Sequence, residues 1–228
     1  MKILRLFAVW LILLSSSWAA ITFNGTTSRL SVANYAAIQS LSSLSIGIWS
    51  YRVGAGENNL GVMIDKSGTE VQGSSGFLLL NYQAGPSYLF ETHLWNTSTG
   101  AWTFPQPSAN AWHHILVTYS HSSTANDPIA YVDGVSQTVT ESVTPAGTLG
   151  TEVQQLSIGN RNPGDRAWDG RLAEAAIWNV ILTQTNATNL AAGTSPQTIS
   201  GLVSYAQMCN AVNPTIDFSG QGQNFTQD

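Results

Sequence analysis

Trp112-His113-His114-Ile115-Leu116-Val117-Thr118-Tyr119, followed by Tyr131-Val132-Asp133-Gly134 and by Gly170-Arg171-Leu172-Ala173-Glu174-Ala175-Ala176-Ile177-Trp178, decides how this chain folds. The first stretch alternates Trp, His, Leu and Thr on one side with His, Ile, Val and Tyr on the other, which is strand periodicity with β-branched enrichment. Ile129 to Asp133 reads as a second strand. Asp133-Gly134 separates it from Val135 to Val139, and a turn of this composition joins antiparallel strands because both residues tolerate positive φ. A hairpin is expected there.

Working outward, similar runs recur every ten to fifteen residues: Leu30 to Ala33, Leu44 to Val53, Leu60 to Asp65, Gly76 to Tyr82, Ser87 to Trp95, Gln154 to Ile158, Arg171 to Leu182 and Leu202 to Met208. Turn-rich stretches such as Gly54 to Asn59, Gln83 to Pro86 and Asn162 to Asp165 lie between them. This rhythm predicts an all-β sandwich. Thr183 to Ala192 is the single helical candidate, with Thr183 or Thr185 as N-cap and Gly193 as terminator. It is expected to close the open edge of the sandwich.

The chain starts with Lys2 and Arg5, an apolar run from Leu6 to Leu14, and the small-residue site Ser17-Trp18-Ala19. Nine apolar residues are too few to span a bilayer, so residues 1–19 read as an export signal and residues 20–228 as one secreted domain. Without the signal, six basic residues face thirteen acidic ones. That balance disfavours nucleic acid and anionic lipid as partners, since neither finds clustered Lys or Arg. Cys209 is the only cysteine, which excludes an intrachain disulfide and a thiolate metal cluster, and it reads as a buried, inert thiol.

The spacing of the opening motifs resembles the laminin-G-like and pentraxin-like branch of the concanavalin A-like lectin/glucanase superfamily. There a W-x-H-hydrophobic strand precedes a YVDG hairpin and a later G-x-hydrophobic-x-E strand. Ile21 to Gly25 looks like that family's opening strand, Leu44 to Trp49 like its long strand, and Ile158-Gly159-Asn160 also fits. Leu182-Thr183, Gly193 to Pro196 and Leu202 to Tyr205 resemble the closing helix, its exit and the last strand. The resemblance implies a two-sheet antiparallel jelly-roll β-sandwich with one short helix near the C-terminus. It leaves function open, because this scaffold hosts lectins, hydrolases, lyases and adhesion modules.

Glucan hydrolases on such a scaffold carry paired carboxylates, commonly E-x-D-x-x-E, about 5 Å apart as nucleophile and acid/base. Nothing here matches. Glu91 and Glu174 stand alone, and Glu174 reads as structural. His113 and His114 are adjacent on a strand, point to opposite faces and so cannot share a metal. A Ser-His-Asp site has no G-x-S-x-G turn to support it.

A lectin site needs aromatic platforms with amides or carboxylates beside them. Trp49, Trp112 and Trp178 lie within the family's strand motifs and are assigned to the core. Trp95, Trp102 and Trp168 are the expected platforms, joined by Asn160, Asn162 and Asp165 in the Asn160 to Asp169 loop. By position that loop resembles the one supplying calcium ligands in pentraxins. Asp165, Asp169 and Asp217 are the hard-oxygen donors available to a single structural calcium ion. The expectation is a secreted, non-catalytic, lectin-like module binding glycan or an extracellular protein. The alternatives are a structural or cell-adhesion subunit of a surface assembly or virion, and a glycan hydrolase or lyase with an unfamiliar site.

Overall fold

The structure is a computed structural model describing residues 20–82, 85–208 and 215–228. The expected signal at residues 1–19 and Cys209 lie outside the described residues. In chain order the strands are β1 (Ile21–Asn24), β2 (Leu30–Val32), β3 (Ser43–Arg52), β4 (Val62–Asp65), β5 (Phe77–Tyr82), β6 (Ser87–Thr92), β7 (Gly100–Pro105) and β8 (Trp112–Ser120). They continue as β9 (Ile129–Val132), β10 (Val135–Ser136), β11 (Thr140–Val143), β12 (Leu156–Ile158), β13 (Asp169–Trp178), β14 (Leu202–Ala206) and β15 (Thr226–Gln227), with helix α1 (Gln184–Ala191) between β13 and β14.

The strands form two antiparallel sheets packed face to face. One has the order β1-β13-β3-β8-β9-β10, with β14 beside the C-terminal half of β13; the other runs β11-β7-β6-β5-β4-β12-β2-β15. Ile46, Ile48, Ile115, Val117 and Tyr119 of the first sheet meet Leu79, Phe90, Trp102 and Phe104 of the second in the main core. The period of two therefore sends Gly47, Trp49 and Tyr51, and Trp112, His114 and Leu116, to the outer face of the first sheet. Val62, Leu78, Leu80, Leu89 and Ala101 form a smaller apolar cluster on the far side of the second sheet.

The predicted hairpin is present. Asp133 and Gly134 both have positive φ, 51° and 76°, and Val132 pairs with Val135. Thr183 caps α1 reciprocally with Asn186: its Oγ1 accepts from the Asn186 amide, and its own amide donates to Asn186 Oδ1.

The position of α1 differs from expectation. It lies across the outer face of the first sheet, burying Ala187 and Leu190 against Leu116, Tyr131, Ala176, Trp178 and Tyr205. Ser45 anchors its approach, donating to the Val180 carbonyl at 2.6 Å and accepting from the Leu182 amide at 3.0 Å. Gly47 makes the close packing possible, because a Cβ there would stand 3.1 Å from the Trp178 ring. The sheet thus has apolar residues on both faces wherever α1 covers it.

Candidate functional site

The six residues expected to bind ligand fall in two places. Trp102 and Trp168 are fully buried and Trp95 is 5 % exposed, so none offers a ring face to a sugar. Trp102 packs against Tyr119 at 5.0 Å and Phe90 at 6.1 Å, with its indole N–H donating to Asp127. Trp95 donates to the Tyr119 hydroxyl at 3.3 Å. Asn160 is buried, its Oδ1 accepting from the amides of Arg161 and Arg166, so it shapes its loop from within.

Asn162 is exposed, and Asp165 is held by Arg161, which with Arg166 also grips Glu70. The Arg161 contact pulls the Asp165 carboxyl below its ordinary range. Asp217 accepts from the amides of Tyr205, Ser219 and Gln223. Among the described residues no three acidic, His or Cys side chains are grouped to hold a metal ion.

His113 and His114 do face opposite ways. Ser108 Oγ lies 3.2 Å from His113 Nε2, and Asp133 Oδ2 lies 2.7 Å from His113 Nδ1. The order is that of a hydrolytic triad, but Ser108 and Asp133 are both exposed to water. The other Asp133 oxygen accepts from the His114 amide, tying the hairpin to β8. Such a triad depends on a buried acid that holds the imidazole, and here the linkage reads as structural.

The outer face of the first sheet is different. Beyond α1 it carries Trp49, Tyr51, Trp112 and Arg171, all half-buried. Tyr51 is the direct cross-strand neighbour of both Trp112 and Arg171. The Tyr51 and Trp112 rings meet edge-on at 5.7 Å, and the Arg171 guanidinium lies 3.9 Å from the Tyr51 ring centre and 5.4 Å from that of Trp112. Mutual packing holds these side chains in place, so a ligand laid on them would order little further. Sequence reasoning passed over this row: Trp49 and Trp112 were assigned to the core, and Tyr51 and Arg171 were not singled out.

The row runs into a pocket of about 150 Å³ at the exit of α1, lined by Trp49, His114, Glu174, Trp178, Tyr205, Gln207 and the turn from Gly193 to Pro196. Glu174 enters it because β13 carries one extra residue there. Ala173 pairs with Trp49 and Ala176 with Gly47, so three steps on β13 match two on β3. Glu174 is the bulged residue, at φ 54°, and it is the only non-glycine inside a described strand with positive φ. Such a conformation costs about 1–3 kcal/mol unless the surroundings impose it. Its amide donates to the Gln207 carbonyl and its carboxylate accepts from the Tyr205 hydroxyl.

Burial raises the Glu174 pKa, partly offset by the Tyr205 hydrogen bond. Burial likewise lowers the pKa of His114 to about 4, leaving it neutral near pH 7. His114 stacks edge-on with Trp49 at 5.4 Å, and its Nδ1 has no hydrogen-bond partner among the described residues.

Comparison with known proteins agrees with this architecture. A Bacteroides ovatus protein described as a candidate carbohydrate-binding protein superposes with a TM-score of 0.63 at 17 % identity; the match covers 92 % of this chain and 57 % of that one. This chain thus spans little more than half of that structure. The native heptameric SAP-like pentraxin of Limulus polyphemus superposes with a TM-score of 0.55 at 12 % identity, covering 90 % and 93 % of the two chains. At these identities the likeness establishes the fold alone. No curated protein sequence matches. Residues 24–187 match the Laminin_G_3 model, and with the sandwich, the hairpin and the helix-covered sheet in place, the chain belongs to this family of the concanavalin A-like lectin/glucanases superfamily.

Proposed function

We propose that the protein is a secreted, non-catalytic carbohydrate-binding module, and that glycan lies on the outer face of the first sheet across Trp49, Tyr51 and Trp112. The observation carrying this reading is the half-exposed aromatic row with Arg171 stacked on it, beside a pocket lined by Glu174, Gln207, Thr194 and Ser195 with no Lys or Arg. The apolar face of a pyranose stacks on aromatic rings while its hydroxyls need hydrogen-bond partners in place of water. The Bacteroides ovatus neighbour, described as a candidate carbohydrate-binding protein, supports the same direction. The non-catalytic reading rests on the isolation of Glu174 and the absence of a paired-carboxylate motif.

The test is a glycan array probed with residues 20–228, with calcium and with chelator, beside Trp112→Ala and Tyr51→Ala variants checked for folding. Binding that is lost in either folded variant supports the reading. Binding that survives both would move the site elsewhere. If no glycan binds the folded protein in either condition, weight passes to the structural or adhesion subunit. Calcium dependence would support the single structural ion, and N-terminal sequencing of the exported product tests removal of residues 1–19.

A further inference from the structure

We propose that the pocket at the α1 exit is a subsite for one uncharged pyranose, the terminal unit of a glycan whose following units run over Trp49 towards Tyr51 and Trp112. This rests on the carbohydrate-binding reading and adds a ligand class and a direction of binding to it.

Size comes first. A cavity of about 150 Å³ holds one benzene-sized ring; the pocket has that volume and is open on one side, so a pyranose ring seats in it with its outer hydroxyls at the mouth. On the helix side it ends at Leu190 and Trp178, so an extended chain has no onward path beneath α1. On the other side Trp49 belongs both to the pocket and to the aromatic row. Its neighbour Tyr51 lies two residues along the same face, about 7 Å away.

The chemistry comes second. Glu174 Oε, the Gln207 amide, the Thr194 and Ser195 hydroxyls and the His114 ring supply both donors and acceptors. His114 lines the pocket at 3 % exposure, and its buried Nδ1 is unpartnered among the described residues. No Lys or Arg lines the pocket. An ionised sugar carboxylate would therefore meet Glu174 without a cation to pair with it, whichever protonation state Glu174 holds.

The experiment is calorimetric titration of residues 20–228 with methyl hexopyranosides, methyl N-acetylhexosaminides and methyl hexuronides, alongside an oligosaccharide identified on the array. The variants are Glu174→Gln, Thr194→Trp and Trp112→Ala, each checked by near-ultraviolet circular dichroism. Thr194 is exposed on the exit turn, so its replacement fills the pocket mouth and leaves Glu174 and Tyr205 untouched.

At least one neutral methyl pyranoside is expected to bind and to compete with the oligosaccharide. Its affinity should fall about tenfold in Glu174→Gln, the loss of one good hydrogen bond, and vanish in Thr194→Trp. Trp112→Ala should weaken the oligosaccharide and spare the monosaccharide. Equal binding of a hexuronide overturns the uncharged class. Oligosaccharide binding that responds to Trp112→Ala, with no monosaccharide competition and no effect of Glu174→Gln or Thr194→Trp, overturns the subsite and leaves the function standing. Absence of any binding by folded protein overturns both.

Discussion

Exchanging the roles of two tryptophans is the sharpest consequence of the fold. Trp102 is fully buried among Phe90 and Tyr119, whereas Trp112 stands half-exposed beside Tyr51 and Arg171. Trp102→Ala removes a buried indole from a close-packed sandwich, at a cost of about 3–5 kcal/mol. Asp127 also loses its indole partner, but it is exposed and water replaces the bond, so this adds little. Trp112→Ala forfeits one edge-on aromatic contact and one Arg stacking contact, together about 1–2 kcal/mol. Urea unfolding followed by far-ultraviolet circular dichroism separates the two. With an m-value near 2.5 kcal/mol/M, the first substitution lowers the midpoint by about 1.2–2 M and the second by about 0.4–0.8 M. Trp102→Phe should recover part of the loss, since it restores ring packing without the Asp127 bond. Oligosaccharide binding should follow the opposite order: intact in folded Trp102→Phe, weakened in Trp112→Ala. A Trp102→Ala protein within about 1 kcal/mol of the parent that no longer binds the oligosaccharide, beside a Trp112→Ala protein that binds it as tightly as the parent, would refute the assignment of faces.

Two further predictions concern stability. Lys66 and Glu152 form a buried pair at 2.6 Å with side-chain exposures of 0 % and 2 %, and Lys66 also donates to Asn34 and the Gln154 carbonyl. Lys66→Met should cost about 3–5 kcal/mol by stranding a buried carboxylate, and adding Glu152→Gln should restore most of it in a double-mutant cycle; equal losses in the single and double variants would contradict this. Acid should destabilise the protein between pH 6.5 and 4. Burial depresses His114 and His121 to about 4, so the stability present with both neutral above pH 6.5 is lost as pH falls from 6.5 to 4, up to about 3 kcal/mol each. Asp65 works in the opposite direction, because burial raises it to about 6 and the folded state binds its proton more tightly, returning up to about 3 kcal/mol on acidification. Thermal melts should therefore show a shallower acid loss in His121→Gln and a steeper one in Asp65→Asn than in the parent; the reverse order would refute these environments.

The parts of the fold that could be read from the residues were those with local causes. Asp133-Gly134 supplied its own turn, Thr183 its own cap, and Trp112 to Tyr119 and Leu44 to Val53 their own alternation. β7 escaped notice because Gly100 and Pro105 bracket a short run that resembles a loop. β11 escaped because all four of its residues are exposed and show no apolar period. The run from Ser87 to Trp95 reads as one strand, yet pairing in β6 ends at Thr92 and Trp95 turns to bridge Leu149. The assignment of tryptophans failed for a different reason. Alternation sorts residues into two sets but does not say which set faces the core, and the usual arbiter is polarity. On the first sheet α1 covers part of the outer face, so Leu116, Ala176 and Trp178 make that set as apolar as the inner one. The uncovered Trp49 and Trp112 then carry no mark that distinguishes them from core.

The bulge at Glu174 shows why the site could not be assembled from periodicity at all. Read as one uninterrupted strand, β13 places Leu172, Glu174 and Ala176 on one face and Ala173, Ala175 and Ile177 on the other. Leu172, Ala175 and Ile177 in fact share the main core, while Ala176 and Trp178 lie under α1. One extra residue changes the phase, and every side chain beyond it switches face. Without that step Trp178 would enter the inter-sheet core and Ile177 would sit where the helix now packs. The pocket wall formed by Trp178, Tyr205 and Glu174 would not exist. The residue that corrects the register is also the carboxylate delivered to the pocket, held at φ 54° by the Gln207 carbonyl behind its amide. Replacement of Glu174 by glycine tests the two roles separately: glycine relieves the positive φ and keeps the bulge but removes the acceptor of the Tyr205 hydroxyl, two effects of about 1–3 kcal/mol that oppose each other, so stability should change little while pyranose binding is lost. A Glu174→Gly protein that still binds the monosaccharide as the parent does would leave the carboxylate with the structural role alone.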